Sequence, residues 1–106
     1  MTELPIMTAE QRTAALEKAK WVRFQRAEVK KFLKQGTTTI PDVLREAATD
    51  DALAGMKVSA LVEAMPGVGK TRRIQIMERL QISPDRRVRG LGANQRVALE
   101  AEFAGA

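Results

Sequence analysis

The sequence contains no cysteine, no histidine and no tyrosine, and its aromatic residues are one tryptophan and three phenylalanines. Without Cys or His the chain has no thiolate nucleophile, no imidazole base and none of the usual nitrogen and sulfur ligands of zinc. A disulfide framework is excluded as well, which fits a reducing compartment. No run of 18 apolar residues is present, and the opening MTELPIM lacks a basic stretch followed by an apolar one. The expectation is no transmembrane or secretory segment and a cytoplasmic location. Sustained apolar/polar alternation is missing, and β-branched residues are scattered among Ala, Leu, Glu, Lys, Gln and Arg, which favour helix. An all-α fold is expected.

What is present is enough for one core. The chain has 106 residues, 44% hydrophobic and 29% charged, a balance typical of a folded domain rather than a disordered one. Eighteen Lys and Arg face thirteen Asp and Glu, for a net charge of +5, which favours a polyanionic partner such as nucleic acid or anionic lipid. The distribution is more informative than the total. Residues 18–34 carry +6 and residues 70–96 carry +6, while the remainder sums to −7, with Asp42, Glu46, Asp50 and Asp51 in the middle. Two basic blocks around an acidic centre imply two binding elements on one scaffold, where plain solvated helix faces would need more acidic partners.

Local signals order the chain. Residues 1–7 read as a loose tail and 8–106 as a single helical domain. Thr8 and Gln11 have capping-box spacing, and Gly36 suits the left-handed position that closes a helix, which predicts one long helix over about 8–35. Thr39 and Pro41 open a short helix through about Ala48, and Asp50 and Asp51 start another short piece carrying Leu53 and Met56. Val58, Leu61, Val62 and Met65 form one apolar stripe ended by Pro66 and Gly67. A helix then runs from Gly69 to about Gln81 with Ile74, Met77 and Leu80 inward, and Ser83-Pro84 ends it. Residues 85–92 read as a basic loop and 93–103 as a last helix bearing Leu99 and Phe103.

In the long helix, 100° per residue places Trp21, Val22, Phe24, Val29, Phe32 and Leu33 on one arc and Lys20, Arg23, Arg26, Lys30, Lys31 and Lys34 on the other. The aromatics are read as a core face, with base-stacking platforms as the other reading. The cationic face suits a phosphate backbone or an anionic membrane; a membrane helix leaves the second basic block unexplained.

The stretch Met65-Pro66-Gly67-Val68-Gly69-Lys70-Thr71 allows two functional readings. Ala64 to Thr71 fits a relaxed nucleotide-binding loop, but such a loop leaves a parallel strand and needs a second strand with a metal-binding Asp. A small P-loop enzyme is therefore the weaker reading. In the stronger one, two helices join through a tight turn in which Gly67 and Gly69 supply positive φ and close backbone approach, Val68 tucks inward, and the next helix offers unpaired N–H groups to a phosphate. Lys70, Thr71 and Arg72 add side-chain contacts that follow the backbone without reading bases. An ordinary Pro-Gly turn is the plainer alternative.

The segment MKVSALVEAMPGVGKTRRIQIMERLQI followed by SPDRRVRGLGANQRVALEAEF, with Glu10-Gln11-Arg12 through Ala14-Ala15-Leu16-Glu17-Lys18-Ala19 upstream, resembles the actinobacterial integration host factor family. The resemblance implies a long N-terminal helix packed on a compact helical domain with a helix-two-turn-helix at about 57–82. It also implies a monomeric, non-enzymatic nucleoid protein without cofactor or metal. Its expected partner is double-stranded DNA, bound with little sequence preference, bent or compacted, and presented to a phage integrase; no membrane or small-molecule substrate is expected. By the matching motif the phosphate contacts fall on Pro66, Gly67, Val68, Gly69 and Lys70 and on Arg86, Arg87 and Arg89. Lys57, Thr71, Arg72, Arg73 and, on the long helix, Arg23, Arg26, Lys30 and Lys34 complete the expected surface. Related hairpins carry a small Ala where this chain has Arg73, which implies either a looser hairpin or a side chain turned toward DNA. Similar elements in a small-subunit ribosomal protein keep RNA or ribosome binding open; glycosylase chemistry lacks its N-terminal Pro and zinc cysteines.

Overall fold

The computed structural model describes residues 7–104. Apart from exposed Met7, the tail expected over residues 1–7 lies outside the described residues. Among the described residues six α-helices follow one another: α1 (Ala9–Gln35), α2 (Ile40–Glu46), α3 (Asp51–Ala54), α4 (Val58–Ala64), α5 (Lys70–Arg79) and α6 (Ala93–Glu102), with a 3-10 turn at Val88–Gly90.

The ends of these helices are set by the residues that satisfy their first and last backbone groups. The Gln11 N–H donates to the Thr8 hydroxyl at 3.1 Å and the Thr8 N–H to the Gln11 carboxamide at 2.8 Å, a reciprocal box that fixes the start of α1. Gly36 ends it at φ 75°, a conformation costly to any residue with a Cβ. Thr39 accepts from the Asp42 N–H at 3.2 Å, with Pro41 in the first turn of α2. Asp50 accepts from the Ala52 and Leu53 N–H groups of α3 at 2.9 and 3.4 Å.

One cluster of buried apolar side chains unites the elements: Leu33 of α1, Ile40, Val43 and Leu44 of α2, Leu53 of α3, Val58, Leu61 and Val62 of α4, Ile76 and Met77 of α5, and Leu99 of α6. No polar side chain is buried among the described residues. Removing a fully buried leucine such as Leu61 or Leu99 costs ~2–5 kcal/mol through lost transfer energy and the cavity left behind.

Two expectations about facing need correction. The arc of Trp21, Phe24 and Phe32 is not a core face: these rings are 57, 54 and 40% exposed, while Leu33 alone in α1 is buried, with Val29 packed against the cluster. The body covers only a narrow side of α1, and everything from Ala9 to Lys18 is exposed, so the N-terminal half is a free-standing arm. In α5, Ile74 faces outward at 42% exposure and Ile76 takes the inward place beside Met77.

The segment after α5 is more structured than a loop. Arg87 pairs with Lys57 in an antiparallel bridge. Around it the Val58 N–H donates to the Arg86 carbonyl at 2.9 Å and the Val88 N–H to the Met56 carbonyl at 2.9 Å. Val88 is buried by this closure. Gln95 then ties α6 to the end of α5, its carboxamide donating to the Gln81 carbonyl at 2.9 Å and accepting from the Gly92 N–H at 3.0 Å.

Candidate nucleic-acid interface

The turn between α4 and α5 begins where Met65 leaves helical conformation at ψ 144°. The Val68 N–H donates to the Met65 carbonyl at 3.1 Å, and Val68 packs on the core as expected. Gly67 has φ 76°, so it needs glycine for its backbone. Gly69 does not: its φ is −94° and the space where a Cβ would lie is open. The expectation of positive φ at both glycines therefore holds only at Gly67.

Gly69 stands as the N-cap of α5 without any side-chain cap. The first N–H groups of that helix therefore have no side-chain acceptor, and Lys70, Thr71 and Arg72 around them are all exposed, as are Pro66, Gly67 and Gly69. Unpaired N–H groups, the positive end of a helix dipole and two cations make a cradle for a phosphate oxygen. An amphipathic helix, α4, enters the turn, and no parallel strand precedes it among the described residues, which removes the strand context a nucleotide-binding loop requires.

Arg73 is held within the hairpin. Its guanidinium reaches back across the hairpin to the Glu63 carboxylate of α4 at 3.3 Å, and it is only partly exposed. The pair links the two helices of the hairpin.

The arginine cluster divides into tethered and open members. Arg86 folds over the 3-10 turn and donates to the Gly90 carbonyl at 2.9 Å, leaving its Nε buried without a partner in the protein. Arg87 donates to the Gly55 carbonyl at the end of α3. Arg89 is exposed, its guanidinium 3.8 Å from where a Cβ on Gly55 would sit. Lys57 is exposed beside Arg87 through the bridge and lies 3.7 Å from Asp85.

The first basic block meets the second at this same place. Arg26 of α1 donates from Nε to the Ala52 carbonyl at 2.9 Å, and its Nη2 lies over Gly55. Further along α1, Lys30 and Lys34, together with Lys31, line a groove against Ala60, Glu63 and Ala64 of α4, while Arg23 is exposed. The two basic blocks thus meet at Gly55, where Arg26 and Arg89 both approach, and α1 runs beside α4 through Lys30, Lys31 and Lys34. Gly55 and the Ala52 carbonyl, which hold this junction, carry no local sequence signal; Lys31 was legible from its place on the cationic arc.

Arg79 of α5 and Glu102 of α6 form an ion pair at 2.7 Å. The hydrogen bond from Arg79 holds the Glu102 carboxyl below its ordinary range, against an opposing contribution from burial. The pair fastens α6 to the second helix of the hairpin.

Residues 33–103 match the model of the S13-like H2TH domain. The chain is 56% identical over 100 residues to the integration host factor of Streptomyces coelicolor, covering 94% of each protein. It is 53% identical over 103 residues to that of Mycobacterium tuberculosis, covering 97% of this chain and 98% of the relative. Among solved structures, sIHF bound to an 8-base-pair palindromic DNA is similar at a TM-score of 0.81 and 53% identity, over 83% of this chain and 99% of that one.

Proposed function

The chain belongs to the integration host factor family and carries an S13-like H2TH domain, and from that premise we propose that it is a nucleoid-associated protein that grips duplex DNA through its phosphate backbone. The observation that carries the reading is the uncapped start of α5, with exposed Lys70, Thr71 and Arg72 behind the Gly67 turn, in a chain whose relative sIHF is solved bound to DNA. Pro66 to Arg72 hold one phosphate stretch. Lys57, Arg87 and Arg89 hold a second, and Arg23, Lys30 and Lys34 of α1 extend the contact.

These contacts fix register without reading bases, so sequence preference is low and reflects how readily a site deforms. A rigid surface that engages separated stretches of backbone stabilises a bend, which is how the protein compacts DNA and assists site-specific integration by a phage recombinase. The work is architectural: the protein is a monomer free in solution, binds DNA in the nucleoid and carries out no chemistry of its own. Arg26, Arg73 and Arg86 support the surface from behind through their partners Ala52, Glu63 and Gly90.

Equilibrium binding to a duplex and to an equally long structured RNA tests the reading. Tighter binding to the duplex, lost steeply as salt rises, supports it; preference for RNA moves the hairpin to a ribosomal role, and binding of ATP or GTP with magnesium moves it to the nucleotide-binding one.

A further inference from the structure

On the side of α1 away from its cationic arc the chain has a second kind of surface. A groove runs between α1, the 36–39 turn, α2 and α3, with Val29, Phe32 and Leu53 as its apolar lining and Glu28, Glu46 and Asp50 as its carboxylates. None of its lining residues is basic, in a chain with eighteen Lys and Arg. Among the described residues no cation lies within ion-pair distance of Glu28 or Glu46. Trp21 and Phe24 stack at 5.9 Å on the same helix face, exposed, and extend the apolar strip toward the arm. A surface of this sign is repelled by DNA and complements a cationic helix with an apolar anchor.

One stripe of the chain's own arm has this character, with Glu10 and Glu17 off that stripe on the same helix. On the free arm Arg12, Leu16 and Lys20 recur every four residues on one stripe, all exposed, with Leu16 at 62%. The arm and the groove wall belong to one unbroken helix, Ala9–Gln35, and Leu16 stands ~18 Å along its axis from Glu28. The arm therefore cannot reach its own groove.

We propose that the groove receives the arm of a second copy of this chain bound alongside on the same DNA, a proposal that takes its setting from the DNA-binding reading above. Leu16 of one copy seats on Phe32 and Val29 of the next, and Arg12 and Lys20 meet Glu28 and Glu46. Each contact leaves one arm and one groove free, so copies follow one another head to tail along a duplex. The contact is small, far below the area of a stable complex, so it forms when DNA raises the local concentration rather than in dilute solution.

Binding to a duplex that holds one copy and to one that holds several tests this. Wild type should fill the longer duplex about tenfold more tightly per site, within the usual range of coupling between sites. Leu16→Ala, which changes no charge, should keep the single-copy affinity and lose the gain; Glu28→Gln with Glu46→Gln should lose it too, and the combined variant should be no worse than either. Independent filling by wild type, or a gain that both variants keep, overturns the proposal. If the short duplex is not bound at all, the DNA-binding reading fails, and sedimentation of the free protein at millimolar concentration decides docking separately: association lost in both variants supports it, and a monomer throughout overturns it.

Discussion

The Arg26 guanidinium lies across the Gly55 turn, with Nη2 only 2.7 Å from where a Cβ on residue 55 would sit and Nε donating to the Ala52 carbonyl at 2.9 Å. Arg26 thus pins α1 to the end of α3, over a glycine that leaves its guanidinium room. Arg26→Ala should destabilise the protein by ~1–3 kcal/mol through the loss of a charge-assisted bond to a carbonyl. Gly55→Ala should cost far less, because the atom its Cβ meets is the free end of a flexible side chain that can shift. Urea unfolding checks both, as a clearly lowered midpoint for Arg26→Ala and a small shift for Gly55→Ala, each with an unchanged slope.

Arg87 and Arg89 should separate in their effects. Arg87 holds the Gly55 carbonyl, so Arg87→Ala should lower both the melting temperature and DNA affinity. Arg89 is exposed and forms no hydrogen bond or ion pair among the described residues, so Arg89→Ala should leave melting unchanged. It should reduce the salt slope of DNA binding by about one. Melting curves beside a salt series for each variant distinguish the two roles.

The two glycines of the hairpin should also differ. At φ 76° Gly67 is in the left-handed region, and Gly67→Ala should cost ~1–2 kcal/mol. Gly69 is extended with open space at its Cβ position, so Gly69→Ser should be neutral or stabilise by roughly a few tenths of a kcal/mol as a better N-cap. A lowered unfolding midpoint for Gly67→Ala and an unchanged or raised one for Gly69→Ser are the expected outcomes.

Acid should weaken the attachment of α6. Because Arg79 holds the Glu102 carboxyl below its unfolded value, the pair stabilises the fold above the ordinary carboxylate range. That contribution is lost as pH falls through the depressed value. Glu102→Gln should remove this component, making stability less dependent on pH in the acid range, as read from unfolding midpoints across a pH series.

Features written in a few neighbouring residues were legible before the structure: the Thr8–Gln11 box, Gly36 and the Thr39 and Asp50 caps appear as read, and the Met65–Lys70 turn does so except for the backbone of Gly69. Features that depend on what stands opposite were not. Counting angles around α1 separates apolar from basic residues, but it cannot say how wide an arc the body covers. The covered arc takes Arg26 from the basic side and leaves Trp21 and Phe24 in solvent. The Lys57–Arg87 bridge joins residues thirty positions apart, and no local pattern announces it. Arg73 shows the same limit, since its partner Glu63 lies on the other helix of the hairpin.

The salt dependence of duplex binding tests the central claim, that affinity comes from phosphate neutralisation over one surface built by the hairpin, the arginine turn and α1. With six to ten phosphates engaged, affinity should fall by ~10³–10⁵ between 50 and 200 mM salt, equally on unrelated sequences. Lys70→Ala combined with Arg89→Ala should reduce the slope by about two. A shallow slope, or a loss confined to one sequence, would contradict the account and assign the affinity to base contacts instead.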